Sequence, residues 1–359
     1  MTLAPALAAS RRGLLLERLA RNGVLRVAEL AAELGVTPVT IRRDLVQLED
    51  EGLLTRVHGG AVPPEFQPEP EAPSASGTIA VLVPSLDYYW PGVIRGMEDA
   101  ARACGMRILL RGSSYEPEDE RPVLKRLLLG ESVRGLVFAP NADSPYAPDV
   151  VAWLAREKLP CVLVERDAVR PDTREPFESV TTDHAHGAIL AAQHLADLGH
   201  RRVGLLLSRF SPTSRKIATG WKAACRQLGL DRTEHFEQII PDRRTTEFAT
   251  ALDQALDTAL ESGTTGLLVH SDPEAIALVE RALGRGIRVP GDLSIIAYDD
   301  EVADLYYPAL TAVSPPRAAV GQAAVELITR RLADPDCPGH RVLLSPSLVQ
   351  RESTAPVRK

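Results

Sequence analysis

The stretch from Thr37 to Val62, TPVTIRRDLVQLEDEGLLTRVHGGAV, permits few folds. Thr37 is a helix-capping residue, and Pro38 follows at the first helical position, where a missing N–H costs nothing. Ile41, Leu45 and Leu48 then recur at i, i+4 and i+7, which makes one apolar stripe on a helix. At about 100° per residue, that stripe leaves Val39 and Arg43 roughly opposite the buried face, with Thr40 and Arg42 flanking them. Gly52 is placed to end the helix in a left-handed conformation. Leu53 to Val57 alternates as a strand does, and His58-Gly59-Gly60-Ala61 supplies a tight turn, so a hairpin is expected next.

The residues before it read as a support for that helix. A helix opening at Ser10-Arg11-Arg12 carries Leu15, Leu16 and Leu19 and ends at Asn22-Gly23. A second, Val27 to Leu34, turns Leu30 and Leu34 inward, and Gly35 makes the turn into Thr37. Helix, helix, glycine turn, arginine-bearing helix and hairpin compose a winged helix-turn-helix. Its third helix suits a major groove about 12 Å wide, with Arg42 and Arg43 offered to guanine edges. Thr37, Val39 and Thr40 would meet phosphates or thymine methyls, and Arg56 and His58 would lie over the adjacent backbone or minor groove. Two adjacent arginines alone would read as an ordinary solvated helix face; the surrounding motif favours DNA. The run VAELAAELGVTPVTIRRDLVQLEDEGLLTRVHGGAV closely resembles the DNA-binding head of the DeoR-type transcriptional regulators, including the TIRRDL core and the R-x-H-G-G wing. That resemblance covers about the first 62 residues.

A net charge of −7 looks wrong for a DNA binder until it is divided along the chain. Residues 1–62 hold eight arginines, no lysine and seven acidic residues, a net of +1, which leaves −8 on the remainder. A near-neutral head binds DNA when its arginines gather on one face, and an acidic body suppresses loose attachment. Binding is therefore expected to be salt-sensitive and to need two heads acting together. At 359 residues the chain exceeds one ordinary core. Residues 63–77, PPEFQPEPEAPSASG, cannot build a core and read as a semi-extended acidic linker.

From Thr78 the texture becomes strand–helix alternation. Apolar strands are expected at Thr78–Val83, Arg107–Leu110, Gly135–Phe138, Cys161–Val164, Val203–Leu207, Glu237–Ile240, Gly266–His270 and Leu293–Tyr298. Helices are expected at about Pro91–Gly105, around Pro117–Leu129, up to Lys158, and at Ala185–Leu198, Ser214–Leu228, Thr245–Ser262, Pro273–Gly284 and Ala318–Leu332, before a last extended segment. Parallel strands joined by crossover helices give a doubly wound α/β fold, here two such units in series. Ligands bind such units where strand C-termini face a crevice. The fold class expected is thus α/β, with a winged helix-turn-helix domain at residues 1–62, a linker at 63–77 and a two-lobed domain at 78–359.

Several phrases in this region resemble the LacI-type regulators and the sugar-binding proteins of the periplasmic-binding fold. They are AVLVPSLDYYWPGVIRGMEDAARACGMRILL, AAQHLADLGHRRVGLL, VPGDLSIIAYDDE, YYPALTAV and PSLVQREST, in that family's order across residues 78–354. The resemblance implies effector contacts at or near Trp90, Glu165, Asp272 and Asp299. The residues agree in kind, since a sugar needs an aromatic face for its C–H surface and carboxylates for its hydroxyls. Asp87, Tyr89 and Trp90 follow the first strand, and Glu165 and Arg166 follow the fourth. Two positions depart from the family: Ile217 occupies the place of an arginine before Gly220-Trp221, with Arg215 and Lys216 nearby, and Ser271 replaces an asparagine.

Each candidate has a plainer reading. Asp272 before Pro273 suits a helix cap, Trp90 suits a core, and Asp299-Asp300 suits a turn. His184 and His186 hint at a metal, but no carboxylate or cysteine completes a ligand spacing. Cofactor fingerprints and catalytic motifs are missing, so no enzyme, cofactor or metal is expected. Cys104, Cys161, Cys225 and Cys337 are widely spread, as thiols in a reducing cytosol are. No apolar run approaches the ~20 residues that span a bilayer, and MTLAPALAAS lacks the charged start of a secretory signal. The expectation is a cytoplasmic, homodimeric transcriptional regulator, a repressor, that binds double-stranded operator DNA and answers to a sugar or sugar derivative. A solute-binding receptor of a transport system is the alternative reading.

Overall fold

A computed structural model describes the chain apart from residues 1–7, 23–24, 35, 58–59, 64–76, 88, 116–117, 131, 210, 231–235 and 358–359. The contacts divide it into two units, Met1–Ser74 and Ala75–Lys359.

The first unit runs α1 (Ala8–Asn22), β1 (Leu25–Arg26), α2 (Val27–Glu33), α3 (Pro38–Asp50), β2 (Thr55–Val57) and β3 (Gly60–Val62). The Thr37 hydroxyl accepts the Thr40 N–H at 3.2 Å, and Pro38 stands at the start of α3. Gly52, at φ +70°, lets the chain leave the helix, with its N–H on the Glu49 carbonyl. Ile41, Leu45 and Leu48 bury fully against Leu15, Leu19 and Leu30. Two details differ from expectation. Gly60 and Ala61 belong to a strand, because β3 pairs on both sides, with β2 and with β1. The two-residue β1 has no local signature; its pairing with Ala61 and Gly60 defines it.

The second unit has two lobes. Lobe 1 comprises β4 (Thr78–Val83), α4 (Tyr89–Ala103), β5 (Arg107–Gly112), α5 (Arg121–Leu128), β6 (Val133–Phe138), α6 (Ala147–Leu154), β7 (Cys161–Val164) and β8 (Glu178–Thr182). The chain then crosses to lobe 2: α7 (His184–Asp197), β9 (Val203–Ser208), α8 (Thr213–Leu228), β10 (Glu237–Ile240), α9 (Glu247–Glu261), β11 (Gly266–Val269), α10 (Asp272–Gly284), β12 (Ser294–Tyr298) and β13 (Thr311–Ser314). It returns with α11 (Arg317–Ala333) and β14 (Arg341–Leu344), then crosses once more to β15 (Ser347–Val349). The sheet orders are β14-β8-β7-β6-β4-β5 and β10-β9-β11-β12-β13-β15, parallel except for β15 against β13. Lobe 1 buries β4 completely, as expected of a strand covered on both faces.

Helices α4 and α11 cover one face of lobe 1, and α7 and α8 cover one face of lobe 2. The second pair meets closely: a side chain on Gly220 would stand 2.1 Å from the Ala185 carbonyl oxygen. Beside it, Ile217 and Trp221 are fully buried, so the slot where the family carries an arginine belongs to the core of lobe 2. Helix α4 starts at Tyr89 rather than Pro91, which moves Tyr89 and Trp90 from a loop onto its first turn. Helix α5 begins at Arg121, later than its sequence suggested.

Candidate operator-binding face and interlobe crevice

In the first unit, α3 presents a face made by its own periodicity. Val39 is 68% exposed, Thr37 and Arg43 are exposed and Thr40 is half-buried. Val39 and Arg43 are one helical turn apart and share that face. The backbones of Arg42 and Arg56 lie in α3 and β2; their side chains, and all of His58, lie outside the described residues. What fixes α3 from behind was not read from the sequence. Arg11 of α1 donates from Nε to Asp44 Oδ2 at 2.5 Å and from Nη2 to Oδ1 at 3.2 Å, and both side chains are buried. Such a two-point bond sets orientation as well as distance.

In the second unit the strand ends converge between the lobes. Tyr89 donates its hydroxyl proton to Glu165 Oε1 at 2.5 Å, and the Thr182 hydroxyl donates to the same oxygen at 2.8 Å. The Thr182 N–H donates to Oε2 at 3.1 Å, and His184 Nε2 stands 2.9 Å from that oxygen. On the other side of the ring, His184 Nδ1 lies 3.0 Å from the Tyr298 hydroxyl. Burial pushes the Glu165 carboxyl up, but His184, Tyr89 and Thr182 outweigh it and hold the group at about 2. The Tyr89 phenol is held well above its ordinary value by burial, by Glu165 and also by Asp299 across the crevice.

Asp272 is 1% exposed and accepts backbone N–H groups from Asp300 at 3.2 Å, Glu301 at 2.6 Å and Val302 at 3.0 Å. Burial still pushes its carboxyl to about 6. It is not the cap of α10: Ser271 takes that place, its N–H on Glu274 Oε2 at 3.0 Å. Asp299 stands beside it, driven well above the ordinary carboxylate range by burial and by Asp272, with Arg317 pulling it back. Arg317 also holds the loop, donating to the Asp299 carbonyl and to the Asp300 carbonyl at 3.0 Å.

Glu165, Asp299 and Asp300 have φ of +58°, +98° and +52°, unusual for residues with side chains. Such backbone persists where the surroundings over-determine it, commonly at ligand sites.

The structure thus brings Tyr89, Glu165, Asp272 and Asp299 to one interlobe region, but it commits both oxygens of Glu165 and of Asp272 to protein partners. Trp90 is 2% exposed, packed in the lobe 1 core with Nε1 donating to the Tyr115 hydroxyl at 2.9 Å. Arg166 is buried and donates to the Glu165 carbonyl at 2.8 Å; its Nε has no partner among the described residues. Asp87 is exposed, with its N–H on the Ser85 hydroxyl, and is not drawn into the network. Arg215 lies apart: it pairs with Asp143 and lines a groove whose lining includes none of Trp90, Asp272 or Asp299. Thr182, His184, Tyr298 and Arg317 were missed. His184 had drawn notice for a metal. Among the described residues no metal-ligating cluster forms, and the carboxylate it meets is Glu165, nineteen residues back, just past the end of β7.

Comparison with known proteins agrees with this geometry. Residues 11–66 match the DeoR-like helix-turn-helix domain, and residues 192–354 match the periplasmic binding protein-like domain. An uncharacterized HTH-type transcriptional regulator in the aml 5' region of Streptomyces limosus is 32% identical over 291 residues, covering 78% of this chain and 80% of that one. The arabinose metabolism transcriptional repressor of Geobacillus stearothermophilus is 26% identical, covering 91% of this chain and 90% of its own. Among solved structures, a ribose-bound LacI family regulator from Enterococcus faecium superposes with a TM-score of 0.65 at 24% identity, over 78% of this chain and all of that one. With a DeoR-like head and a LacI-like two-lobed body, the chain belongs to the HTH-type transcriptional regulators.

Proposed function

We propose that this regulator is a cytoplasmic repressor that binds a two-fold operator as a homodimer, using the Val39–Arg43 face of α3, and releases or tightens on that operator when a sugar occupies the interlobe crevice. Residues 1–62 serve as the head, 63–77 as the tether and 78–359 as the effector-binding and dimerising body. The observation that carries the DNA-binding reading is the exposed, capped face of α3, where an apolar Val39 stands in solvent beside Arg43. An apolar side chain placed there suits a thymine methyl, and the guanidinium suits a guanine edge. No described helix is long and apolar enough to cross a membrane.

The effector reading rests on the crevice. Asp299 and Asp300 are polar and have strained backbones, and the side chains of Asp272, Arg317 and Arg351 hold the loop they open. A hydroxyl-rich ligand that bonds Asp299 changes those contacts, and with them the packing of the lobes. Relatives named for arabinose metabolism and a ribose-bound structural neighbour support a sugar as the class. Coupling between sugar and operator is reciprocal and of the order of about 1–3 kcal/mol. Arg43→Ala tests the head: loss of about 1–3 kcal/mol of operator affinity supports base readout by that residue, and unchanged affinity removes it.

A further inference from the structure

Where the chain first crosses between the lobes, the body carries a groove of about 600 Å3. One wall is the sheet edge of lobe 1, where Ser179 and Thr181 of β8 stand in register with Arg341 and Leu343 of β14. The facing wall is lobe 2, the first turn of α7 and the first two turns of α8, with Arg215, Lys216 and Thr219. Three cations, Arg215, Lys216 and Arg341, therefore line one cavity from both lobes. Among the described residues no Trp, Tyr or Phe lines it, so none of them offers a sugar ring an aromatic face to stack on.

Two carboxylates share the groove and both have structural work. Asp183 caps α7, accepting the His186 N–H at 2.9 Å. Asp167 accepts from Arg341 Nη2 at 3.0 Å and from the Ser179 hydroxyl at 3.1 Å, with the Lys216 ammonium 3.7 Å away. Burial pushes the Asp167 carboxyl up, yet Arg341, Lys216 and Ser179 together take it below its ordinary value, while Arg215 pairs with Asp143. An ammonium has three donors and a guanidinium five, more than one shared carboxylate can use.

We propose that this groove is a second ligand site that takes a small anion bearing a phosphate group; it adjoins the sugar crevice, sharing Thr182 and His184 with the network around Glu165, but is lined by none of Tyr89, Asp272 or Asp299. Forked guanidinium donors, a mobile ammonium and neighbouring hydroxyls match tetrahedral phosphate oxygens. Because Arg341 belongs to lobe 1 and Lys216 to lobe 2, a bound phosphate ties the lobes together at the crossover. The site stands independently of the sugar reading, and a failure here leaves that reading's own test intact.

Calorimetric titration of the full-length protein with inorganic phosphate and with ribose 5-phosphate, at constant ionic strength and with ribose as control, tests the proposal. Both phosphate probes should bind saturably, and the Lys216→Ala/Arg341→Ala double variant should weaken each by about tenfold or more. An unchanged melting temperature without ligand shows that the variant folds; should it not, Arg341→Gln alone, on the exposed sheet edge, must give a loss in the same direction. Tighter binding of ribose 5-phosphate than of phosphate identifies a phosphosugar as the better ligand, and equal binding identifies the free anion. Absence of saturable binding by either probe overturns the site. So does binding that survives the double variant, or binding of the phosphosugar that Asp299→Asn abolishes instead.

Discussion

His184, the first residue of the first helix of lobe 2, meets the Glu165 carboxylate of lobe 1 with 2.9 Å between Nε2 and Oε2, and both side chains are almost wholly buried. The two sit on either side of the first crossover, so the contact is a bond between lobes as well as between residues. Its partners are complete: Tyr89 and Thr182 serve the carboxylate, and Tyr298 serves the other ring nitrogen.

Removing one side of that contact leaves a carboxylate buried without its main partner. His184→Ala should therefore destabilise the body by about 3–5 kcal/mol, read by urea denaturation. Glu165→Gln should cost less, because an amide keeps the shape and some of the bonds. A loss below the error of the measurement for His184→Ala would show that the bond is dispensable.

The pH dependence of Glu165 has a definite sign. Its carboxyl is held at about 2, below the ordinary 4.5, so its stabilisation is complete above 4.5 and is lost as pH falls through 2. The wild-type protein minus Glu165→Gln should show a stability difference that is flat above pH 5 and shrinks below about 4.5. A difference that instead changes between pH 6 and 8 would assign the titration elsewhere.

His270 behaves in the opposite chemical sense but loses stability in the same direction. Burial, with His184 adding to it, takes its ring down to about 3, so the folded protein keeps it neutral. The unfolded chain gains a proton below the ordinary 6.5, and the folded state loses stability from there down to about 3. Against His270→Leu, the wild type should fall by up to about 1.4 kcal/mol per pH unit in that window. Parallel curves for the two proteins would contradict the burial argument.

Gly220 gives a test of packing. A methyl there would stand 2.1 Å from the Ala185 carbonyl oxygen, where the close approach of α7 and α8 leaves no room. Gly220→Ala should cost about 1–3 kcal/mol as the helices move apart, despite the better helix propensity of alanine. A neutral or stabilised variant would show that the two helices part freely.

Much of this architecture was legible because it is local. The α3 stripe of Ile41, Leu45 and Leu48, the Thr37 cap and the Gly52 exit all follow from spacing within one turn or two, and they stand as expected. The buried strands β4, β7 and β12 were legible for the same reason. What escaped was pairing between distant segments. Strand β8 is half polar in sequence, and its role emerges only from its neighbours β7 and β14. Asp272 resembled a cap because a cap is the nearest demand on an aspartate before Pro273; the backbone it serves lies nearly thirty residues on. Arg11 and Asp44 meet across 33 positions, and no periodicity marks them as partners.

The proposed regulator couples sugar in its body to DNA at its head through one chain. The most direct measurement is the operator affinity of the full-length protein, selected on a random duplex pool, with and without saturating ribose or arabinose. At least one sugar should change that affinity by about 5- to 150-fold, and Asp299→Asn should abolish the change while leaving sugar-free operator binding intact. Equal operator affinity with every free sugar tested, by a protein that demonstrably binds one of them, would contradict that coupling.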